Sequence, residues 1–101
     1  MKLKIYPMYS TRSHEIVKNQ YRGKIQHANS ITWYFQSYDS MIAKFSTKNQ
    51  KLYLDKNYWD YSVTTLKYLK EFLHDFIGYV SKDEIKNMIK NKEIILTNLN
   101  K

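Results

Sequence analysis

Between Ile31 and Tyr38 the side chains alternate. Ile31, Trp33 and Phe35 fall to one side of an extended chain, and Thr32, Tyr34 and Gln36 fall to the other. A period of two is the signature of a strand with one buried face. Two further short runs follow, "MIAKF" (41–45) and "KLYLD" (51–55), set off by the polar links Tyr38-Asp39-Ser40 and Thr47-Lys48-Asn49-Gln50. Both links have hairpin length, and Asn49 tolerates the left-handed conformation that such turns often need. The pattern predicts a three-strand antiparallel meander over 31–55, in which Lys44 belongs to the outer face only if the second strand puts Met41, Ala43 and Phe45 inward. An earlier strand in "HEIVKNQYRGKI" (14–25) is interrupted by Gly23, a residue that weakens strand interiors.

After residue 60 the period changes. Val63, Leu66, Leu69, Phe72, Leu73, Phe76 and Ile77 recur at steps of three and four, with Lys67, Lys70 and Glu71 between them. That spacing is one stripe of an amphipathic helix, predicted over 62–77 with Ser62 as its N-cap and Gly78 closing it. Ser81-Lys82-Asp83-Glu84 matches the S-x-x-E capping box, and Val80 and Ile85 occupy the two positions of a hydrophobic staple around it. A second helix is predicted over 82–91, with Ile85, Met88 and Ile89 inward. "EIILT" (93–97) then returns as a strand. The resulting fold class is α+β: a small antiparallel sheet of three to five strands packed against two C-terminal helices, as a single domain over 1–101. Trp33, Phe35, Trp59, Leu69 and Phe72 are its expected packing residues, and Ser62, Ser81 and Glu84 its caps.

Composition narrows the chemistry. Hydrophobic residues make up 43% of the 101-residue chain, and it contains 2 Gly and 1 Pro; this is a folding composition, with room for one core. The absence of Cys removes disulfides, thiol catalysis and cysteine-based zinc sites together. The start, "MKLKIYPMYS", lacks the apolar core of a signal peptide, and nowhere do about 18 apolar residues run together. An intracellular protein that does not enter the membrane is the expectation.

The formal net charge is +8, enough to draw the chain toward phosphate or toward an acidic protein surface. Against a dedicated nucleic-acid role, only Arg12 and Arg22 among the 17 basic residues are arginine, the side chain whose planar fork suits phosphate and base edges. Abundant Lys, Asn, Ile and Tyr, all with A- and T-rich codons, give basic charge a compositional origin as well.

No catalytic constellation stands out. His14, His27 and His74 lie in separate segments and form neither H-x-x-x-H nor H-E-x-x-H. There is no glycine-rich phosphate loop, no G-x-S-x-G and no zinc spacing. Asp39, Asp55 and Asp60 are carboxylates that the fold could gather at one end of the sheet. The reading is of a protein that is not an enzyme and needs no cofactor or metal, with no catalytic residue assigned.

Ser37-Tyr38-Asp39-Ser40-Met41-Ile42-Ala43 and Tyr61-Ser62-Val63-Thr64-Thr65-Leu66-Lys67-Tyr68 fit the patterns S-Y-[DN]-[ST]-x-I-A and Y-S-x-T-T-x-[KR]-[HY]. Together with "LYLDKNYWDYS" and "SKDEIKNMIKNKEI" they make residues 31–95 resemble a family of small bacteriophage-encoded proteins. The resemblance implies phage origin, a small α+β domain and residence in the bacterial host's cytoplasm. It brings no activity with it. Where relatives often carry His, this chain has Tyr68, so a histidine-based role at that position does not transfer.

Two functions follow as expectations. The first is a phage accessory protein that binds and inhibits a host protein, in the manner of anti-defence proteins such as anti-CRISPRs, and acts on a nucleic-acid-handling defence complex. The second is a basic accessory protein that binds single-stranded nucleic acid. For the second, Tyr34, Tyr53, Lys44 and Lys51 would share the outer face of the sheet, where aromatics stack on bases and lysines track the backbone. For the first, the same face would serve, together with Tyr58 and Tyr61, turned outward if Trp59 points into the core.

Overall fold

The computed structural model describes residues 2–10 and 12–100; Met1, Thr11 and Lys101, which the expected 1–101 domain includes, lie outside the described residues. Six strands form one mixed sheet in simple sequence order: β1 (Lys2–Tyr9), β2 (Ile16–Gln26), β3 (Ile31–Ser37), β4 (Ser40–Ser46), β5 (Lys51–Asp55) and β6 (Ile94–Thr97). The first five make an antiparallel meander. Between β5 and β6 the chain passes through α1 (Val63–Ile77) and α2 (Lys82–Lys90), and β6 pairs parallel to β5. A parallel neighbour needs a long crossover, and the two helices supply it. The fold is α+β, with more strands than the sequence predicts and a sheet that is mixed rather than wholly antiparallel.

The meander over 31–55 forms, and two strands precede it. β1 escapes the sequence reading because its alternating residues are an edge pattern. Leu3 and Ile5 are apolar, yet they are 60% and 67% exposed, so no buried face organises the alternation. Gly23 does not break β2. It sits between Ile5 of β1 and Tyr34 of β3, and its missing Cβ leaves room beside the Tyr34 Cβ, 3.6 Å away from where a Cβ would stand.

The core lies between the sheet and the helices. Phe35 stacks on Phe72 with centroids 5.9 Å apart, Phe72 meets Phe76 edge-on at 5.0 Å, and Phe76 stacks on Phe45 at 4.4 Å. Trp33 leans on Phe76 from the rim of this cluster at 6.2 Å. Leu69, Phe72, Leu73, Ile85 and Ile94 are sealed from solvent. Ser62 accepts from the Thr65 N–H as the N-cap of α1, and Gly78 closes that helix with φ 84°. At α2 both bonds of the Ser81–Glu84 capping box are made.

Four local expectations are corrected. Val63 was placed on the buried stripe of α1 but is 88% exposed, while Thr65 and Tyr68 are buried. The cap turns the first helical turn so that Thr65 faces the sheet, where its hydroxyl meets the Ser37 hydroxyl at 2.8 Å. Met41, inward in the alternation that sets Lys44 outside, faces outward. A bulge at Phe35/Gln36 inserts one residue into β4, so that Ile42 and Ala43 both turn to the core. The left-handed residue of the second link is Gln50 (φ 57°), not Asn49. Asn49 serves the turn through its side chain instead, accepting from the Lys51 N–H. The second helix ends at Lys90, with Asn91 as its C-cap.

Candidate protein-binding surface

Strand alternation and the ladder registers decide what each sheet face carries. Ile5, Gly23, Tyr34, Lys44, Tyr53 and Ile95 form one rung across all six strands. Leu3, Ile25, Thr32, Ser46 and Lys51 form a second, and Pro7, Tyr21, Gln36 and Met41 a third. The core residues Phe35, Ala43, Leu52 and Leu54 occupy the alternate positions, so these rungs belong to the opposite face, which no helix covers. At its β1 side this face is apolar. Leu3, Ile5, Tyr21, Ile25, Tyr34 and Met41 surround a shallow groove of about 220 Å³ floored by Gly23.

Exposed apolar area is normal when scattered, whereas a contiguous patch marks an interaction site. Here Leu3 and Ile5 are the most open members, and the surrounding aromatics Tyr21 and Tyr34 are half-buried. The floor is small because position 23 is glycine; a longer side chain there would fill the groove. Toward β5 the face becomes basic and polar, with Lys44 and Lys51 beside Tyr53.

The residues expected to bind a partner fall into two places. Tyr34, Lys44 and Tyr53 stand side by side on one rung, with Lys51 two residues from Tyr53 on the same face. The Lys44 ammonium lies 4.7 Å from the Tyr53 ring centroid, and the Tyr53 hydroxyl accepts from the Asn49 side-chain amide. Tyr53 is thereby engaged on both its ring face and its hydroxyl. Tyr58 and Tyr61 lie apart from them, in the loop from β5 to α1, half-exposed and packed edge-to-face at 5.6 Å. Trp59 between them is buried.

That loop is held from below by one carboxylate. Asp55, fully buried at the end of β5, accepts the N–H groups of Asn57 and Tyr58 on Oδ2 and that of Leu99 on Oδ1. Asp39 and Asp60 are exposed, and Asp60 sits 3.9 Å from Lys82. Both oxygens of Asp55 are thus taken up by backbone N–H groups of the loop and the C-terminal segment. His27 bonds the Thr32 hydroxyl at 3.1 Å and His74 stacks on Tyr79 at 3.9 Å. Among the described residues no three His, Cys, Asp or Glu gather into a metal-binding group, and no helix is long and apolar enough to cross a membrane.

The two sequence motifs meet in the interior. Ser37 of the first and Thr65 of the second share the buried 2.8 Å hydroxyl contact, and Gln20, the ladder partner of Ser37, is fully buried beside them. Leu3, Ile5, Tyr21, Ile25 and Met41 carry most of the apolar surface and were not among the expected binding residues. The available signal was the alternation Lys2-Leu3-Lys4-Ile5 at the start of the chain. No curated protein and no solved structure matches the chain. The profile of a family of unknown function, DUF8033, matches residues 1–96, and the chain belongs to that family.

Proposed function

We propose that this protein is a non-catalytic binding module that occupies a surface of another protein, as a phage accessory protein would to inhibit a host protein in the bacterial cytoplasm. The observation that carries the reading is the uncovered sheet face, with its apolar groove bounded by Leu3, Ile5, Tyr21, Ile25, Tyr34 and Met41. Large aromatic and aliphatic anchors around a groove are what a protein interface uses at its centre, with a polar rim outside. Lys44 and Lys51 supply such a rim on one side. The positive net charge favours a target with an acidic patch and speeds encounter with it. It also suits a target that handles nucleic acid, the class to which an anti-defence inhibitor of the anti-CRISPR kind is directed.

Single-strand binding is the second reading, favoured by the Tyr34–Lys44–Tyr53 rung. Stacking needs a free ring face, and Lys44 already lies over Tyr53. That contact would have to break before a base could stack, which reduces the gain from the platform.

The experiment is capture of partners from host lysate on the tagged protein, with and without nuclease, using wild type and the Ile25→Ser/Met41→Ser variant. A partner that survives nuclease and is lost with the variant supports the reading. A partner that vanishes with nuclease supports the second reading instead. A nuclease-resistant partner held equally by the variant would move the interface away from the open face.

A further inference from the structure

The sheet ends on one side at β6, 4 residues long, and on the other at β1, 8 residues long. A terminal strand presents a row of backbone groups with no neighbour, which is a template for another extended chain. In β1 the run Leu3 to Tyr6 is exposed throughout, whereas Met8 is buried and the register shifts between Pro7 and Tyr9. The pairable stretch is the first part of the strand.

The geometry shows which backbone groups are free. The Lys4 carbonyl oxygen is 3.8 Å from the position of a Cβ on Gly23, so it faces β2. In an antiparallel pair both groups of one residue point the same way and those of its neighbours point the other way. The N–H and C=O of Leu3 and Ile5 therefore face outward. Pro7 is next in that outward series, where its missing N–H costs the sheet nothing.

The side chains of the same stretch divide by chemistry. Leu3 and Ile5 stand on the open face beside the groove, and Lys4 and Tyr6 stand on the other. Lys4 lies directly opposite Lys24. Neither takes part in the ion pairs of the described residues, Arg22–Asp75 and Lys82–Asp60. Like charges at directly opposed positions destabilise a sheet, and a carboxylate delivered beside Lys4 would relieve them.

We propose that the β1 edge binds an extended segment of a partner protein in which apolar and acidic residues alternate, adding it to the sheet as a further strand. This rests on the protein-binding reading above and names the class of partner. Strand alternation requires the pattern: every second residue of the added strand lies beside Leu3 and Ile5 on the face that carries the groove, and the residues between lie beside Lys4, with Lys24 one strand further in. A second copy of the chain offers the wrong charge, since its own β1 would bring another Lys4 and another +8. Nucleic acid offers the charge without a backbone ladder or apolar side chains.

The test is fluorescence anisotropy with a short capped peptide alternating valine and glutamate, run beside a block peptide of the same composition, an alternating valine–lysine peptide and oligothymidine. The alternating acidic peptide should bind saturably, and the block peptide about tenfold more weakly. Ile5→Pro removes an outward N–H while sparing the bonds to β2, and should weaken binding about tenfold or more. Lys4→Glu with Lys24→Glu should do the same and transfer preference to the valine–lysine peptide; this variant carries the test if Ile5→Pro does not fold. Equal binding of the block peptide, unchanged affinity in both variants, or equal competition by oligothymidine overturns the proposal. So does a dimer in light scattering that Ile5→Pro dissociates, because the edge is then filled by a second copy. If no peptide binds while a nuclease-resistant lysate partner is still lost with Ile25→Ser/Met41→Ser, the edge proposal falls and the open-face reading stands.

Discussion

Asp55→Asn changes the volume of one buried side chain very little and removes its charge, which makes it a clean probe of how the β5–α1 loop is held. The carboxylate accepts three backbone N–H groups, from Asn57 at 3.1 Å, Tyr58 at 3.0 Å and Leu99 at 2.8 Å. Asparagine has one acceptor oxygen. If that oxygen stays with Asn57 and Tyr58, the new NH2 group faces the Leu99 N–H, donor against donor. A hydrogen bond to a charged group contributes about 1.5–3 kcal/mol, against about 1 kcal/mol for a neutral one. One such bond is lost outright and two are reduced to neutral strength. Asn57 and Tyr58 are exposed enough for water to replace part of the loss, so the expected cost is about 2–4 kcal/mol. For a domain of this size that is a fall of about 10–25 °C in Tm. Urea unfolding gives the free energy, and native-state hydrogen exchange locates it. The amides of Asn57, Tyr58 and Leu99 should lose protection together, because one group serves all three. A variant within about 0.5 kcal/mol of wild type, or one in which the Leu99 amide keeps its protection, would refute the claim that Asp55 clamps the loop to the C-terminal segment.

Phe72→Ala should cost about 3–5 kcal/mol in urea unfolding, since Phe72 is fully buried between Phe35 and Phe76; a loss below about 1 kcal/mol would contradict that packing. Val63→Ala should change stability by less than about 0.5 kcal/mol, whereas Thr65→Ala, which strands the buried Ser37 hydroxyl, should cost about 1–3 kcal/mol. The reverse order would restore the stripe predicted from periodicity. Ser62→Ala should lower stability by about 0.5–2 kcal/mol through loss of the α1 cap. Tyr58→Ala should lower it by no more than about 1.5 kcal/mol, because its main aromatic contact is the exposed pair with Tyr61. Thermal melts of the two variants check both.

The sequence exposes those parts of the fold whose signals are local. The capping box at Ser81, the cap at Ser62 and the alternation from Ile31 to Phe35 each rest on a few neighbouring residues, and each has a single physical reading. Register and rotation were less accessible. Val63 fits the helical stripe by spacing alone, and the Ser62 cap together with the Ser37–Thr65 contact, which joins residues 28 positions apart, turns Thr65 rather than Val63 to the sheet. Met41 is apolar and alternates correctly with Ala43, and only the bulge against β3 turns it outward. β1 was hidden for a related reason: an edge strand has one neighbour, both of its faces are partly wet, and its alternation of lysine with leucine and isoleucine lacks the buried side that marks a strand in sequence.

The same contrast bears on where function resides. The motifs that make this chain distinctive, Ser37 to Ala43 and Tyr61 to Tyr68, contribute a tight turn with Tyr38 at φ 54°, a bulge, an N-cap and a buried hydroxyl pair. The turn and the bulge shape the β3–β4 hairpin, and the N-cap and the hydroxyl pair fix α1 against the sheet. Fold-making therefore accounts for Ser37, Ile42, Ala43, Ser62 and Thr65, whereas Met41 lines the groove and Tyr38, Asp39, Tyr61, Val63, Thr64 and Lys67 are exposed. Leu3 and Ile5 have no such structural duty. An exposed apolar side chain on an edge strand gains little from burial it does not have, and it carries the hazard of unintended pairing. Pro7 and the register shift after it limit that hazard along the rest of β1 without removing it at Leu3 and Ile5. These two side chains, which add nothing to the core at an edge that is otherwise guarded, are the ones that the proposed partner strand would cover.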